Sequence, residues 1–116
     1  MLPVADPPPN DDCEIVEIRT TFSARERADA CAARLVQDRL AACVQVDGPL
    51  RSTYRWQEAI ETAEEWRCIC KTTTGCAAAC LEALTAGHEY QVPEAIVTRC
   101  TSTPGYAAWV RASVRQ

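Results

Sequence analysis

The sequence predicts an α+β domain of element order β-α-β-β-α-β-α, and three observations carry that prediction. Residues 41 to 73 read as one long double strand with a turn near Gln57. Two stretches with apolar residues at helical spacing flank it, each opening on hydroxyl-bearing residues. A short apolar strand and a Thr-Pro helix start complete the chain. Two helices laid on one face of an antiparallel sheet form the split βαβ, or ferredoxin-like, plan.

The first strand is read at Cys13 to Thr21, where polar and apolar residues alternate with imperfect phase. Ser23-Ala-Arg-Glu26 has the spacing of a capping box, in which the serine hydroxyl and the glutamate satisfy backbone N–H groups reciprocally. Behind it Ala28, Cys31, Ala32, Leu35 and Val36 make an apolar stripe, so the first helix is expected over 24–39. The double strand follows, and Gly48-Pro49 predicts a bend or bulge in its first arm, because proline cannot donate to a ladder. Beyond it Ser52, Tyr54 and Trp56 share one face, with Arg51, Thr53 and Arg55 on the other. Residues 57 to 59 contain no glycine, which argues against a tight primed turn. On the return arm Trp66, Cys68 and Cys70 share a face, opposite Arg67, Ile69 and Lys71. Thr72-Thr-Thr-Gly opens a second helix that closes at Gly87. His88 to Glu94 is a loop, Ala95 to Thr101 a strand, and Thr103-Pro104 the cap and first position of a last helix. Tyr106, Trp109, Val110 and Ser113 are expected to line one face of that helix.

Each arm of the double strand, roughly 15 residues, spans about 50 Å at ~3.3 Å per residue. A domain of ~100 residues has a radius of gyration of only ~13 Å. The outer half must therefore project, and its unpaired edges and apolar side chains call for cover by another chain. A symmetric oligomer with clefts at its seams is the expectation.

The 116 residues suit one domain, with 47% apolar and 24% charged residues and a net charge of −4. No basic tail is present, which argues against nucleic acid as a partner, and no run of 18 apolar residues suits a membrane span. Residues 1–12 have neither a basic nor an apolar leader region and read as a disordered Pro/Asp lead-in to a domain over 13–116. The compartment is read as cytoplasmic. Eight cysteines without a Cys-x-x-Cys are read as buried packing, with metal or redox use of a subset as the alternative.

Three groups could carry chemistry. His88, the only histidine, follows Gly87 at a helix end and is either a ligand or a hydrogen-bonding loop residue. Lys71, the only lysine, precedes Thr72-Thr-Thr and a helix start; it is either part of an anion cradle or an accident of an Arg-rich chain. Glu58, Glu61, Glu64 and Glu65, with Arg51, Arg55 and Arg67, are either a cation-binding patch or a solvated hairpin with cross-strand ion pairs. One histidine cannot supply a nucleophile–base pair or a closed catalytic metal site, so no enzyme is expected.

Leu40-Ala-Ala-Cys-Val, Ser52-Thr-Tyr-Arg-Trp, Ile60-Glu61, Glu65, Lys71-Thr72, His88-Glu-Tyr-Gln-Val-Pro-Glu94 and Tyr106-Ala-Ala-Trp109 form a collinear series. This series resembles the CutA family, named for divalent-cation tolerance, over about residues 13 to 114. The resemblance implies a ferredoxin-like subunit, a homotrimer built through the long hairpins, and binding of divalent metals, copper especially. It brings no established enzymatic activity. The family's shape is similar to the PII signalling proteins, which sense small molecules in clefts between subunits. In some bacterial members a cysteine near the end of the first strand and two adjacent histidines are the proposed copper ligands; by position these fall on Thr20 and Gly87-His88. Glu58 stands where the family's turn usually has glycine, and Glu89 where proline usually follows histidine.

Two candidate sets follow. His88, Cys43 and Glu89 would hold copper or another divalent metal. Lys71, Arg55, Tyr54, Trp56, Glu61, Tyr90 and Trp109 would line a cleft between subunits for a small molecule or small anionic ligand. A trimeric scaffold presenting a docking surface to a partner protein is the third reading.

Overall fold

The computed structural model describes residues 11–116. Its elements are β1 (Glu14–Phe22), α1 (Arg25–Gln37), β2 (Cys43–Trp56), β3 (Ala59–Thr72), α2 (Thr74–Thr85), β4 (Ile96–Thr101) and α3 (Pro104–Ser113). The strands form one antiparallel sheet in the order β2-β3-β1-β4. This is the predicted α+β order. The lead-in expected at 1–12 falls outside the described residues up to position 10. From there Asp11–Cys13 form a single 3-10 turn, and Arg111 donates to the Asp12 carbonyl at 2.5 Å.

The imperfect phase of β1 has a simple cause: both faces of the strand are covered. Val16, Ile18 and Phe22 point to the α1/α2 side and pack with Ala28, Cys31, Leu35, Cys80 and Leu84. Ile15 points the other way, into a smaller core with Ala107 and Val110 of α3. Burial of each large aliphatic side chain in these cores contributes about 1.5–3 kcal/mol. Cys68 and Cys70 belong to the first core and are fully buried. Each has a helix thiol beside it, Cys31 and Cys80 respectively, and that neighbour together with burial pushes both far up, so they stay thiols. All eight cysteines are free.

Three sequence expectations change. Ser23 does not cap α1; Ala24 is the N-cap, with no side-chain bond. The carboxylate that serves this helix entrance is Glu89, which accepts from Ser23 N at 3.1 Å and from the Ser23 hydroxyl. The hairpin turn is a two-residue one between Trp56 and Ala59, with Gln57 and Glu58 at φ of 50° and 69°. A primed turn thus forms without glycine, because its twist matches the flanking strands and that gain exceeds the left-handed penalty of roughly 1–2 kcal/mol per residue. Finally, Tyr106 and Trp109 lie outside the buried stripe of α3, which consists of Ala107 and Val110.

The projecting hairpin is present. β2 and β3 have 14 residues each, and the longest dimension is 49 Å with a radius of gyration of 16.2 Å. A compact domain of this size would have about 13 Å. The register shifts between Asp47 and Leu50, at the predicted Gly48-Pro49 irregularity. Among the described residues no helix is long and apolar enough to cross a membrane.

Candidate functional site

His88 follows Gly87, whose φ of 70° closes α2 and turns the chain onto the end of β1. Its ring stacks on Phe22, with centroids 4.5 Å apart and planes 12° apart. Nδ1 accepts the backbone N–H of Tyr90 at 3.0 Å, so in the neutral ring Nε2 carries the proton and donates to Thr20 Oγ1 at 3.2 Å. Both nitrogens are occupied. Burial pushes His88 below its ordinary 6.5, and the nearby Glu89 carboxylate offsets only part of this.

That depression has a measurable consequence. The unfolded chain binds the imidazole proton below pH ~6.5, while the folded chain resists it, so the unfolded state holds more protons in that window. Stability is therefore level above pH ~7.5 and falls as pH drops through 6.5 toward the folded value. Urea midpoints of the wild type should drop between pH 7.5 and 5.5. His88→Gln should flatten that slope; an unchanged slope would assign it to another group.

The expected metal set does not assemble. Thr20 and Phe22, and so His88, lie on the helix side of the sheet. Cys43 pairs in register with Lys71, and Lys71 with Glu17, which puts Cys43 on the opposite face. Glu89 is committed to Ser23, with Arg27 Nε at 3.7 Å. Among the described residues no three His, Cys, Asp or Glu side chains could hold a metal ion. The residues present do not fit a copper centre within one chain.

The expected cleft set divides. Tyr54, Trp56, Glu61 and Tyr90 do come together, in a cleft of about 560 Å³ between the hairpin and the loop Tyr90–Glu94. Strand parity places them: Tyr54 pairs with Glu61, and Ser52, Tyr54 and Trp56 point to the same side. Arg55 has the opposite parity and pairs with Ile60, pointing away from the cleft. Lys71 lies further along β3, where its amine binds Glu17; that bond holds the Glu17 carboxyl below the usual carboxylate range. The anion cradle does not form, for Thr74 at the start of α2 donates to the Glu14 carboxylate at 2.9 Å. Trp109 sits on α3 against Tyr106, ring centroids 5.6 Å apart.

Sequence reasoning missed Glu65 and Glu94 as cleft residues. The signal for Glu65 was its even spacing from Glu61, which puts both carboxylates on one face of β3. Tyr54 Oη donates to Glu61 Oε2 at 3.4 Å and Tyr90 Oη to Glu65 Oε2 at 2.8 Å. Burial first, and the adjacent carboxylates next, push both phenols up, so they remain donors. The resulting lining is aromatic and acidic: three carboxylates, Glu61, Glu65 and Glu94, and no Lys, Arg or His.

Comparison with known proteins identifies the family and the fold. The family model for the CutA1 divalent ion tolerance protein matches residues 16–113. The divalent-cation tolerance protein CutA of Escherichia coli is 36% identical over 101 residues, covering 86% of this chain and 90% of that protein. The chloroplastic Protein CutA of Arabidopsis thaliana is 32% identical over 101 residues, and the chain spans 56% of that protein's length. The crystal structure of CutA from Xylella fastidiosa superposes with a TM-score of 0.84 at 35% identity, covering 87% of this chain and 98% of that one. On this agreement of sequence and fold, the chain belongs to the CutA1 family of divalent ion tolerance proteins.

Proposed function

We propose that this chain is a homotrimeric, non-catalytic divalent-cation tolerance protein that acts by binding a small molecule in a cleft at each subunit seam, as PII-like sensors do. Copper or another divalent ion contacts it only weakly. The observation that carries the reading is the hairpin with its cleft: 14-residue arms reach beyond the core, and the cleft opens on the projecting half. Ile60, Val92, Ile96 and Val97 are exposed, apolar surface that a neighbouring subunit would cover. Among the described residues both sheet edges, β2 and β4, are free in one chain, which suits head-to-tail closure of a ring. Eight free thiols suit a reducing, cytoplasmic compartment.

Sedimentation equilibrium at micromolar protein should give three times the 12.7 kDa chain mass. A 12.7 kDa species would remove the seam and the reading with it. A tight stoichiometric copper site in the wild type would overturn the weak-metal half.

A further inference from the structure

The cleft that the proposed function relies on has a chemistry that selects its ligand class. Its volume, about 560 Å³, falls in the range that holds small organic ligands. Three aromatic side chains, Tyr54, Trp56 and Tyr90, form much of its lining. Glu61 and Glu65 are each held by one tyrosine hydroxyl on one carboxylate oxygen, leaving the second oxygen for a donor from a ligand. Glu94 adds a third carboxylate.

The part of the cleft that this chain supplies disfavours an anion, because it presents three carboxylates and no basic side chain. A bare divalent metal is disfavoured as well. Among the described residues no three ligands converge, and a hard cation has little use for aromatic faces. An organic cation satisfies both halves of the lining. Its N–H groups can donate to Glu61 and Glu65 as charge-assisted bonds, while its apolar body and charge lie against Trp56 and the tyrosine rings.

We propose that the cleft between the hairpin and the Tyr90–Glu94 loop binds a small organic cation, an amine or guanidine with a short apolar body. This rests on the cleft being a ligand site, as proposed above, and adds the sign and class of the ligand.

The test titrates the full chain with agmatine and butylammonium as cations, butyrate and ATP as anions and butanol as the neutral probe, read by tryptophan fluorescence and calorimetry. The cations should bind at least tenfold tighter than butyrate or butanol. The double substitution Glu61→Gln and Glu65→Gln should weaken them at least tenfold while leaving the sedimentation mass unchanged. Trp56→Leu should weaken them too, which a purely electrostatic attraction would not require. If ATP or butyrate saturates the cleft and the cations do not, the inference fails and the ligand-site reading stands. If no probe gives a saturable signal sensitive to Glu61 and Glu65, both fail.

Discussion

Gly48→Ala is expected to destabilise the chain by roughly 2–4 kcal/mol and to disorganise the hairpin that carries the cleft. A Cβ at position 48 would stand 2.6 Å from Trp66 Cδ1 and 2.9 Å from Cγ, with the backbone carbonyl of Glu65 at 3.0 Å. The carbonyl belongs to the neighbouring strand and cannot move alone. The indole packs against the main core, so its displacement would disturb the layer under α1 and α2. The position is also where the β2–β3 register shifts. Every residue of β2 that lines the cleft comes after it, so a local correction at 48 would slide Ser52, Tyr54 and Trp56 against Glu61 and Glu65. Urea denaturation followed by tryptophan fluorescence measures the loss. Gly105→Ala is the control: nothing lies within 4 Å of its added Cβ, and alanine favours the helix it enters. Equal midpoints for the two variants would show that the Gly48 crowding is relieved without cost.

The hairpin was the most legible part of the fold, because strand length and alternation are properties of the local sequence. So was the Gly48-Pro49 irregularity, for proline's missing N–H is a local fact as well. Contacts made across the chain were less legible. Ser23 and Glu26 have the capping-box spacing, yet the carboxylate that binds Ser23 is Glu89, 66 positions away. The turn at Gln57-Glu58 was misjudged for a related reason: residue preference disfavours it, and the twist of two long paired arms prevails. In the cleft, four of seven expected residues converge. Arg55 fails on parity, Lys71 is taken by Glu17, and Trp109 lies on the helix α3. The acidic character was hidden because Glu65 groups with the hairpin charges and Glu94 reads only as the end of a loop; the Tyr90–Glu65 bond and the fold of that loop onto the hairpin bring both into the cleft.

Thr20→Cys is expected to raise copper affinity at least tenfold over the wild type. The family resemblance puts a proposed copper-binding cysteine at this position, and here the residue is a fully buried threonine whose hydroxyl meets His88 Nε2 at 3.2 Å. In the wild type that contact joins two poor partners for copper: a neutral hydroxyl and an imidazole whose other nitrogen is held by Tyr90 N–H. The Nδ1 bond fixes the proton on Nε2, so a metal reaching Nε2 must displace that proton and the Thr20 contact together. A thiol at position 20 changes the balance, since it ionises on binding and is a soft donor that copper prefers. It would sit beside the same nitrogen, and a metal held by the thiolate can offset the cost of displacing the Nε2 proton, so that thiolate and imidazole ligate together where neither wild-type group does. Size is nearly conserved, so packing against the first core should be kept. His88→Ala alone should leave copper affinity at the wild-type level, because the imidazole is not free to ligate. The double variant Thr20→Cys, His88→Ala should lose most of the gain, which separates a paired site from a lone thiol. Competition titration with a copper chelator measures all four proteins. A wild type that already matches Thr20→Cys, and drops on His88→Ala, would mean that the Tyr90 loop releases the ring readily and that His88 is a ligand after all.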